Sequence, residues 1–344
     1  MKIRITNREI GDGEKPFIIA EAGINHNGDV SVAKKLVDSA KECGADAIKF
    51  QSFSAEGLLS RQAISAAHTA GYNVFKLIRG LELSGKNHKD IAAHCRREGM
   101  VFLSTPLDFM HVDLLDEIGV GAFKIASMDV NNLPLLKYVS GKNRPIILST
   151  GMADMREIEK AVATIKASGN GGLAILHCVS LYPPSDETLN LSYMAALRRK
   201  FKVPVGFSDH TLGTAAPIAA MALGASIIEK HFTLDKGMPG PDQKISANPA
   251  ELRVITDAAR RIPQMLGGGV KRLSKAELGM RKAFRRSVVA RRGLKKGDVI
   301  TEDLIDYKRP GTGIPPSLAW KILGRKLKKD VDKDDIILWS QISG

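Results

Sequence analysis

Eight short apolar runs, each followed by an amphipathic stretch of helical period, constrain this chain more than any other feature of its 344 residues. The runs cover residues 17–21, 47–51, 100–105, 122–127, 145–150, 173–178, 203–208 and 226–231. Between them lie segments such as "SVAKKLVDSAKECG", "DFMHVDLLDEIG" and "ADMREIEKAVATIKASG", with Ser, Asp or Ala near the start and Gly at the C-cap. Near-continuously apolar strands alternating with helices predict a parallel sheet covered on its outer face. Eight such units over about 265 residues match the size of a (β/α)8 TIM barrel. An open doubly wound sheet shares the alternation, but it usually carries a Gly-rich phosphate turn after its first strand. "EAGINHNGD" is not GxGxxG, so the pattern favours the barrel.

Residues 51–89 break the rhythm and read as a long insertion after the second strand, a candidate lid or substrate loop. "PQMLGGGVKRLSKAE" ends the periodic region, and its glycines mark a linker. The expected organisation is a catalytic barrel over 1–267, a linker over 268–284 and a small β-rich domain over 285–344. Within the last, "GLKKGDVITEDLI" aligns with "DVDKDDIILWSQI", each a turn followed by a β run. That weak repeat predicts a loop-rich, pseudo-symmetric unit, marginal as a core on its own.

Net charge is +14, and the last 74 residues carry 19 Lys/Arg against 9 Asp/Glu. The basic residues alternate with acidic and apolar ones, and aromatic residues make up only 5% of the chain. Both facts weigh against a nucleic-acid surface and toward an anionic small substrate or a solvated face. No apolar run reaches the roughly 18 residues that a membrane span needs, and the N-terminal sequence lacks a signal-peptide core. Cys43, Cys95 and Cys178 are odd in number and form no CxxC, as expected of reduced thiols in a cytoplasmic protein.

In a barrel the C-terminal strand ends form the active face. Here those ends carry Glu21, Lys49, Gln51, Thr105, Lys124, Ser127, Ser149, Ser180, Ser208, His210 and His231. Lysines ending two apolar strands are the informative feature. A buried ammonium without a partner is costly, so Lys49 and Lys124 are expected to hold a phosphate or carboxylate between them. The bland alternative is that each snorkels to the surface. Strand alternation puts Ile227, Glu229 and His231 on one face. His210 ends the adjacent strand, so the two imidazoles converge. Two histidines with water and substrate oxygens suit a divalent ion such as Mn2+, with Glu21 or Asp242 assisting. Two hydrogen-bonded core histidines are the alternative, and Asp209 could serve as a helix cap.

The segments "IAEAGINHNGD", "IKFQSF", "FLSTPLD", "FKIAS", "ILSTGMA", "LHCVSLYPP", "GFSDHTLG", "IEKHFTLDK", "GPDQKISANPAEL" and "YKRPGTGI" resemble, in order and nearly end to end, the sialic acid synthase family. The resemblance implies a TIM barrel joined to a C-terminal domain like type III antifreeze protein (SAF), in a domain-swapped homodimer. It implies condensation of phosphoenolpyruvate with an N-acetylmannosamine-type aldose to a nine-carbon 2-keto acid and phosphate. The N-acetylated amino sugar could instead be phosphorylated at O6, or be a 2,4-diacetamido-trideoxyhexose.

Carried over residue by residue, the resemblance assigns His210 and His231 to the metal, Mn2+ first, with Mg2+ or Co2+ as alternatives. It places Lys49, Thr105, Lys124, Ser127, Ser149, Ser180 and Ser208 on phosphoenolpyruvate. Glu21, Gln51, Tyr182 and Asp242 would face the sugar, with Glu21, Lys49, Lys124 and Asp129 as the catalytic set. Arg309 would reach over from a partner subunit. Two positions depart from the usual pattern: Asp129 stands in "SMD" where many members have Glu in "SGE", and Ser180 stands where many have Asn. A Schiff-base aldolase, which needs a deprotonated lysine nucleophile, and a non-catalytic sugar- or ice-binding protein are the competing readings.

Overall fold

The computed structural model describes residues 1–63, 73–169 and 172–343, in two compact units, Met1–Gly267 and Gly268–Gly344. The first unit opens with an antiparallel hairpin, β1 (Lys2–Ile5) and β2 (Arg8–Gly11). Eight parallel strands follow: β3 (Phe17–Gly23), β4 (Ala47–Ser52), β5 (Val101–Pro106), β6 (Phe123–Ile125), β7 (Ile146–Ser149), β8 (Leu173–Cys178), β9 (Val205–Asp209) and β10 (Ile227–His231). Their hydrogen-bonded order is β5-β4-β3-β10-β9-β8-β7-β6, and the two ends lie side by side, closing the barrel. All eight predicted strands are present.

Helices cover the sheet: α1 (Val30–Glu42), α2 (Gly85–Arg97), α3 (Phe109–Ile118), α4 (Leu133–Ser140), α5 (Met155–Ala167), α6 (Tyr193–Phe201), α7 (Ala215–Ala222) and α8 (Pro249–Leu266). Local chemistry starts them where the sequence suggests. Asp29, Asp108 and Asp154 cap α1, α3 and α5, and Asn248 with Glu251 forms a reciprocal capping box on α8. Outward strand residues such as Ile48, Phe50, Phe123, Leu148, Phe207 and Ile228 pack on the helices' buried stripes in one continuous core.

The barrel interior explains where the site must lie. Inward positions are apolar low in the barrel and turn polar toward the strand ends. Phe17 and Ile19 lead to Glu21, Ala47 to Lys49, Leu103 to Thr105, and Ile227 to Glu229 and His231. Gly206 is needed in this packing, because a Cβ there would fall 2.3 Å from the Ile227 carbonyl oxygen and 2.7 Å from Leu176. The hairpin, which the sequence reading leaves unassigned, contributes Ile3, Ile5 and Ile10 to this inner cluster and so plugs the N-terminal end. Only the C-terminal end remains for a ligand.

Within the predicted 51–89 insertion the described residues include the short helices Ala55–Leu58 and Val74–Arg79, and its last residues, from Gly85, already belong to α2. Residues 64–72, on which the lid expectation also falls, lie outside the described residues. The stretch read as a linker, 268–284, instead contains a helix, Lys275–Phe284. Its signal was in plain view: Ser274 and Glu277 form a capping box three residues apart.

The second unit has a small core that includes Val288, Ile300, Ile314, Ile322 and Ile337, with β11 (Ser287–Ala290) paired to β12 (Ile305–Lys308). The internal repeat is physical. Leu294 and Val331, equivalent positions of the two repeats, pair with each other through reciprocal backbone hydrogen bonds of 2.8 and 2.9 Å. The Ala290–Ile305 pair recurs as Leu327–Ile342.

Candidate active site

A cavity of about 250 Å³ opens at the C-terminal end of the barrel. Glu21, Lys49, Gln51, Thr105, Lys124, Ser127, Ser149, Ser180, Tyr182, Ser208, His210 and His231, all expected from sequence, line it. Three expected residues do not. Asp129 is buried behind Ser127 and Met128, its Oδ1 accepting a hydrogen bond from the Asn132 amide at 3.0 Å and its Oδ2 without a hydrogen-bond partner among the described residues. The turn's two preceding residues occupy the wall instead. Asp242 stands beside the cavity with Oδ2 3.7 Å from His231 Nδ1. Arg309 belongs to the second unit, where its guanidinium lies 4.9 Å over the Phe284 ring.

Strand register assembles the floor. The pairs Glu21–Lys49, Glu21–His231 and Glu229–Ser208 are cross-strand neighbours. Lys49 Nζ sits 2.7 Å from Glu21 Oε2, 3.1 Å from Thr105 Oγ1 and 3.9 Å from Glu229 Oε2. Lys124 Nζ is 3.5 Å from Glu229 Oε1 and donates to the Ile125 carbonyl at 3.1 Å. The Ser208 hydroxyl donates to Glu229 Oε1 at 3.0 Å, and the Gln51 amide to Glu21 Oε1 at 3.3 Å. A Glu–Lys–Glu–Lys quartet therefore stands in the buried floor. The chain itself supplies a carboxylate between the two lysines, Glu229, and a second one, Glu21, on Lys49. Glu229 was missing from the expected site set, although strand alternation had put it on the face of His231.

Burial sets the protonation of the quartet. It pushes the Glu21 carboxyl up to about 7 against the pull of Lys49. Burial also pushes Glu229 upward, but Lys124 and Lys49 outweigh it and hold this carboxyl below the usual range. Burial lowers the Lys124 ammonium. The floor thus holds one firmly ionised carboxylate and one that changes charge near neutral pH.

On one side stand the histidines, ring centroids 5.4 Å apart. His210 uses Nδ1 on the Val179 carbonyl at 2.9 Å, which leaves Nε2 for other work. His231 is held well below its ordinary pKa, first by burial and then by His210, so its ring is neutral. Its Nδ1 has no hydrogen-bond partner among the described residues. A buried, neutral imidazole with an unused nitrogen beside a second imidazole and a carboxylate fits a divalent cation. The Tyr182 ring packs at a tilt against His210, centroids 4.1 Å apart. Opposite, the Ser149 hydroxyl is buried and unpartnered among the described residues. The Gly151 amide donates to Ser127 Oγ at 2.9 Å, and a Cβ at Gly151 would lie 2.3 Å from Ser180 Oγ and 3.1 Å from Cys178 Sγ. Glycine there keeps this hydroxyl-lined corner open. Leu107, Ala126, Met128, Met152 and Cys178 complete the wall and were not expected.

Two motifs of unclear use in the sequence turn out to brace this face. Asn25 of "INHNGD" donates to the Phe232 carbonyl and to Ser246 Oγ, both at 2.8 Å. Gln243 donates to the Asn25 carbonyl at 3.1 Å, and the Ser246 hydroxyl to the Asp242 carbonyl at 2.6 Å. Together they fix the segment that carries Asp242.

The NeuB family profile matches residues 36–271, and the SAF domain profile residues 285–343. The N,N'-diacetyllegionaminic acid synthase of Campylobacter jejuni is 43% identical over 94% of this chain and 99% of its own. Human N-acetylneuraminate-9-phosphate synthase is 34% identical over 96% and 94%. The crystal structure of N-acetylneuraminic acid (sialic acid) synthetase from Leptospira borgpetersenii, in complex with citrate, superposes with a TM-score of 0.75 at 36% identity. It covers 81% of this chain and 95% of that one.

Proposed function

The chain belongs to the NeuB family, and from that premise we propose that it condenses phosphoenolpyruvate with an N-acetylated amino-aldose to a nine-carbon 2-keto sugar acid and phosphate. One observation carries the reading: a charge-balanced Glu–Lys–Glu–Lys floor ringed by hydroxyls, beside two converging histidines. Among aldoses, the higher identity to the legionaminic acid synthase than to the human enzyme favours a 2,4-diacetamido-trideoxyhexose over N-acetylmannosamine or its 6-phosphate. Incubating the purified protein with phosphoenolpyruvate and each of the three aldoses tests this. Phosphate release is expected with at least one aldose, most rapidly with the diacetamido sugar, and release with none overturns the function.

In the reaction, C3 of phosphoenolpyruvate attacks the aldehyde carbon, a C–C bond forms and the aldehyde oxygen takes up a proton. Water then adds at C2, the bond between C2 and the bridging phosphate oxygen breaks, and the ketone forms as phosphate leaves. The water's two protons balance the one taken up by the aldehyde oxygen and the one carried off on phosphate. Lys49, Lys124 and the hydroxyls of Thr105, Ser127, Ser149, Ser180 and Ser208 bind and orient the phosphate and carboxylate, supplying proximity and charge stabilisation. Both lysines act as cations in ion pairs, so the reading requires no Schiff base. His210 and His231 would hold the metal, for which we propose Mn2+, and Asp242 stands close enough to assist. When bound, such a cation polarises the aldehyde oxygen.

Glu21 accepts a proton from the water that adds at C2. With a folded pKa of about 7, it is ionised above neutrality and protonated below. The value of kcat/KM is therefore expected to fall as pH drops from 8 to 6, and Glu21→Gln to lose about 10²- to 10⁴-fold and flatten the profile. A flat wild-type profile across that range excludes the role.

We also propose a cytoplasmic homodimer in which Arg309 acts on a partner's substrate. Arginine suits anionic or polar substrate groups, and the three cysteines are free and buried. Arg309→Ala and His231→Ala chains, each inactive, should regain activity when unfolded and refolded together. A dead mixture beside a normally refolding wild type places the arginine in cis or outside the reaction.

A further inference from the structure

Lys230 lies on the face of β10 turned away from the cavity and is 1% exposed. Its ammonium sits 2.6 Å from Asp209 Oδ2 and also donates to the Thr211 carbonyl. The other oxygen of Asp209 accepts the Thr211 N–H at 2.8 Å. Asp209 and Thr211 bracket His210, and Lys230 immediately precedes His231. The β9–β10 ladder ends at the Asp209–Lys230 pair. The next rung would join His210 to His231, and no backbone ladder fixes it. The Lys230 side chain takes over there, crossing from β10 to the backbone just beyond His210.

A fully buried ion pair is a poor way to gain stability. Desolvation offsets much of the attraction, and well-packed apolar residues often replace such pairs at no loss. What it provides is fixed geometry at one point of the fold. We propose that the Lys230–Asp209 pair is a positioning clamp that sets the separation and orientation of His210 and His231, and through them the affinity for the divalent cation. The inference rests on the reading of these histidines as metal ligands. Neither Lys230 nor Asp209 lines the cavity. Each acts only through its neighbour, as residues behind a metal's ligands commonly do.

The test is a Mn2+ titration of the full-length protein by calorimetry, with melting curves taken without metal. It compares wild type, Lys230→Met, the double variant Lys230→Met/Asp209→Asn, whose amide oxygen can still accept the Thr211 N–H, and His231→Ala. Lys230→Met is expected to bind Mn2+ about 10- to 100-fold more weakly, in line with losses seen when residues behind metal ligands are removed. That variant strands a buried carboxylate, so the double variant, which removes both charges, is decisive. It should melt close to the wild type and keep the weakened affinity. A folded double variant with wild-type affinity overturns the clamp. So does a double variant that cannot fold, because the pair would then be a requirement of the fold itself. If the wild type binds no Mn2+, or His231→Ala binds it equally well, the two-histidine reading falls and the clamp falls with it. Loss in His231→Ala beside full affinity in the double variant sinks the clamp alone.

Discussion

Lys124→Met is expected to weaken phosphoenolpyruvate binding by about 2–4 kcal/mol, or roughly 30- to 1,000-fold in Kd. The reason is the charge balance of the floor. Two lysines face two carboxylates, Lys124 with Glu229 at 3.5 Å and Lys49 with Glu21 at 2.7 Å. With both carboxylates ionised the quartet is neutral, and an incoming phosphate and carboxylate then depend on the lysines being shared. Removing one ammonium leaves Glu229 with the Ser208 hydroxyl and a more distant Lys49, at 3.9 Å, and gives the empty floor an excess negative charge. The ligand's anionic groups then meet an uncompensated carboxylate in a site of low dielectric, where repulsion is poorly screened. The variant's melting temperature should fall as well, since a partnered buried charge has lost its partner. Calorimetry on the folded variant separates the two effects, and an unchanged dissociation constant would remove Lys124 from the binding site.

The sequence made the barrel and most of its polar rim legible for one reason. Strand alternation in a closed barrel leaves few choices, so a polar residue at the end of an apolar run must face either the cavity or the helices. The inward set Glu21, Lys49, Lys124, Ser208 and His231 follows from that rule. Glu229 obeys the same rule but sits two residues deeper, in a run that otherwise reads as core, and so was left out of the expected set. Lys230 illustrates the opposite case. An outward, fully buried lysine has no signature in one strand, because its partner Asp209 lies 21 residues away on the neighbouring strand. Asp129, which the resemblance put among the catalytic groups, shows how a turn escapes the strand rule: the short 3-10 turn Ser127–Asp129 sets it off the cavity wall, with one oxygen on Asn132. The N-terminal hairpin escaped notice because four-residue strands give periodicity too little length to register.

His231→Ala is expected to abolish metal-dependent turnover, a loss on the order of a thousandfold or more, since polarising a carbonyl oxygen supplies several kcal/mol. Chelation should silence the wild type and Mn2+ restore it, whereas the variant should stay silent with either. Full turnover by His231→Ala in chelator would sink the metal reading. The structure also says why this loss can be read as chemistry. His231 Nδ1 has no hydrogen-bond partner among the described residues, so alanine strands no buried donor or acceptor there. The pH dependence of stability gives an independent check. Burial holds the folded His231 well below the ordinary value of 6.5, so as pH falls below 6.5 the unfolded chain takes up a proton that the folded chain refuses. That residue's contribution therefore lowers wild-type stability as the solution is acidified. His231→Ala should be less acid-sensitive over the same window while inactive throughout. A variant that is both dead and equally acid-sensitive would show that this imidazole is not the buried neutral group the site requires.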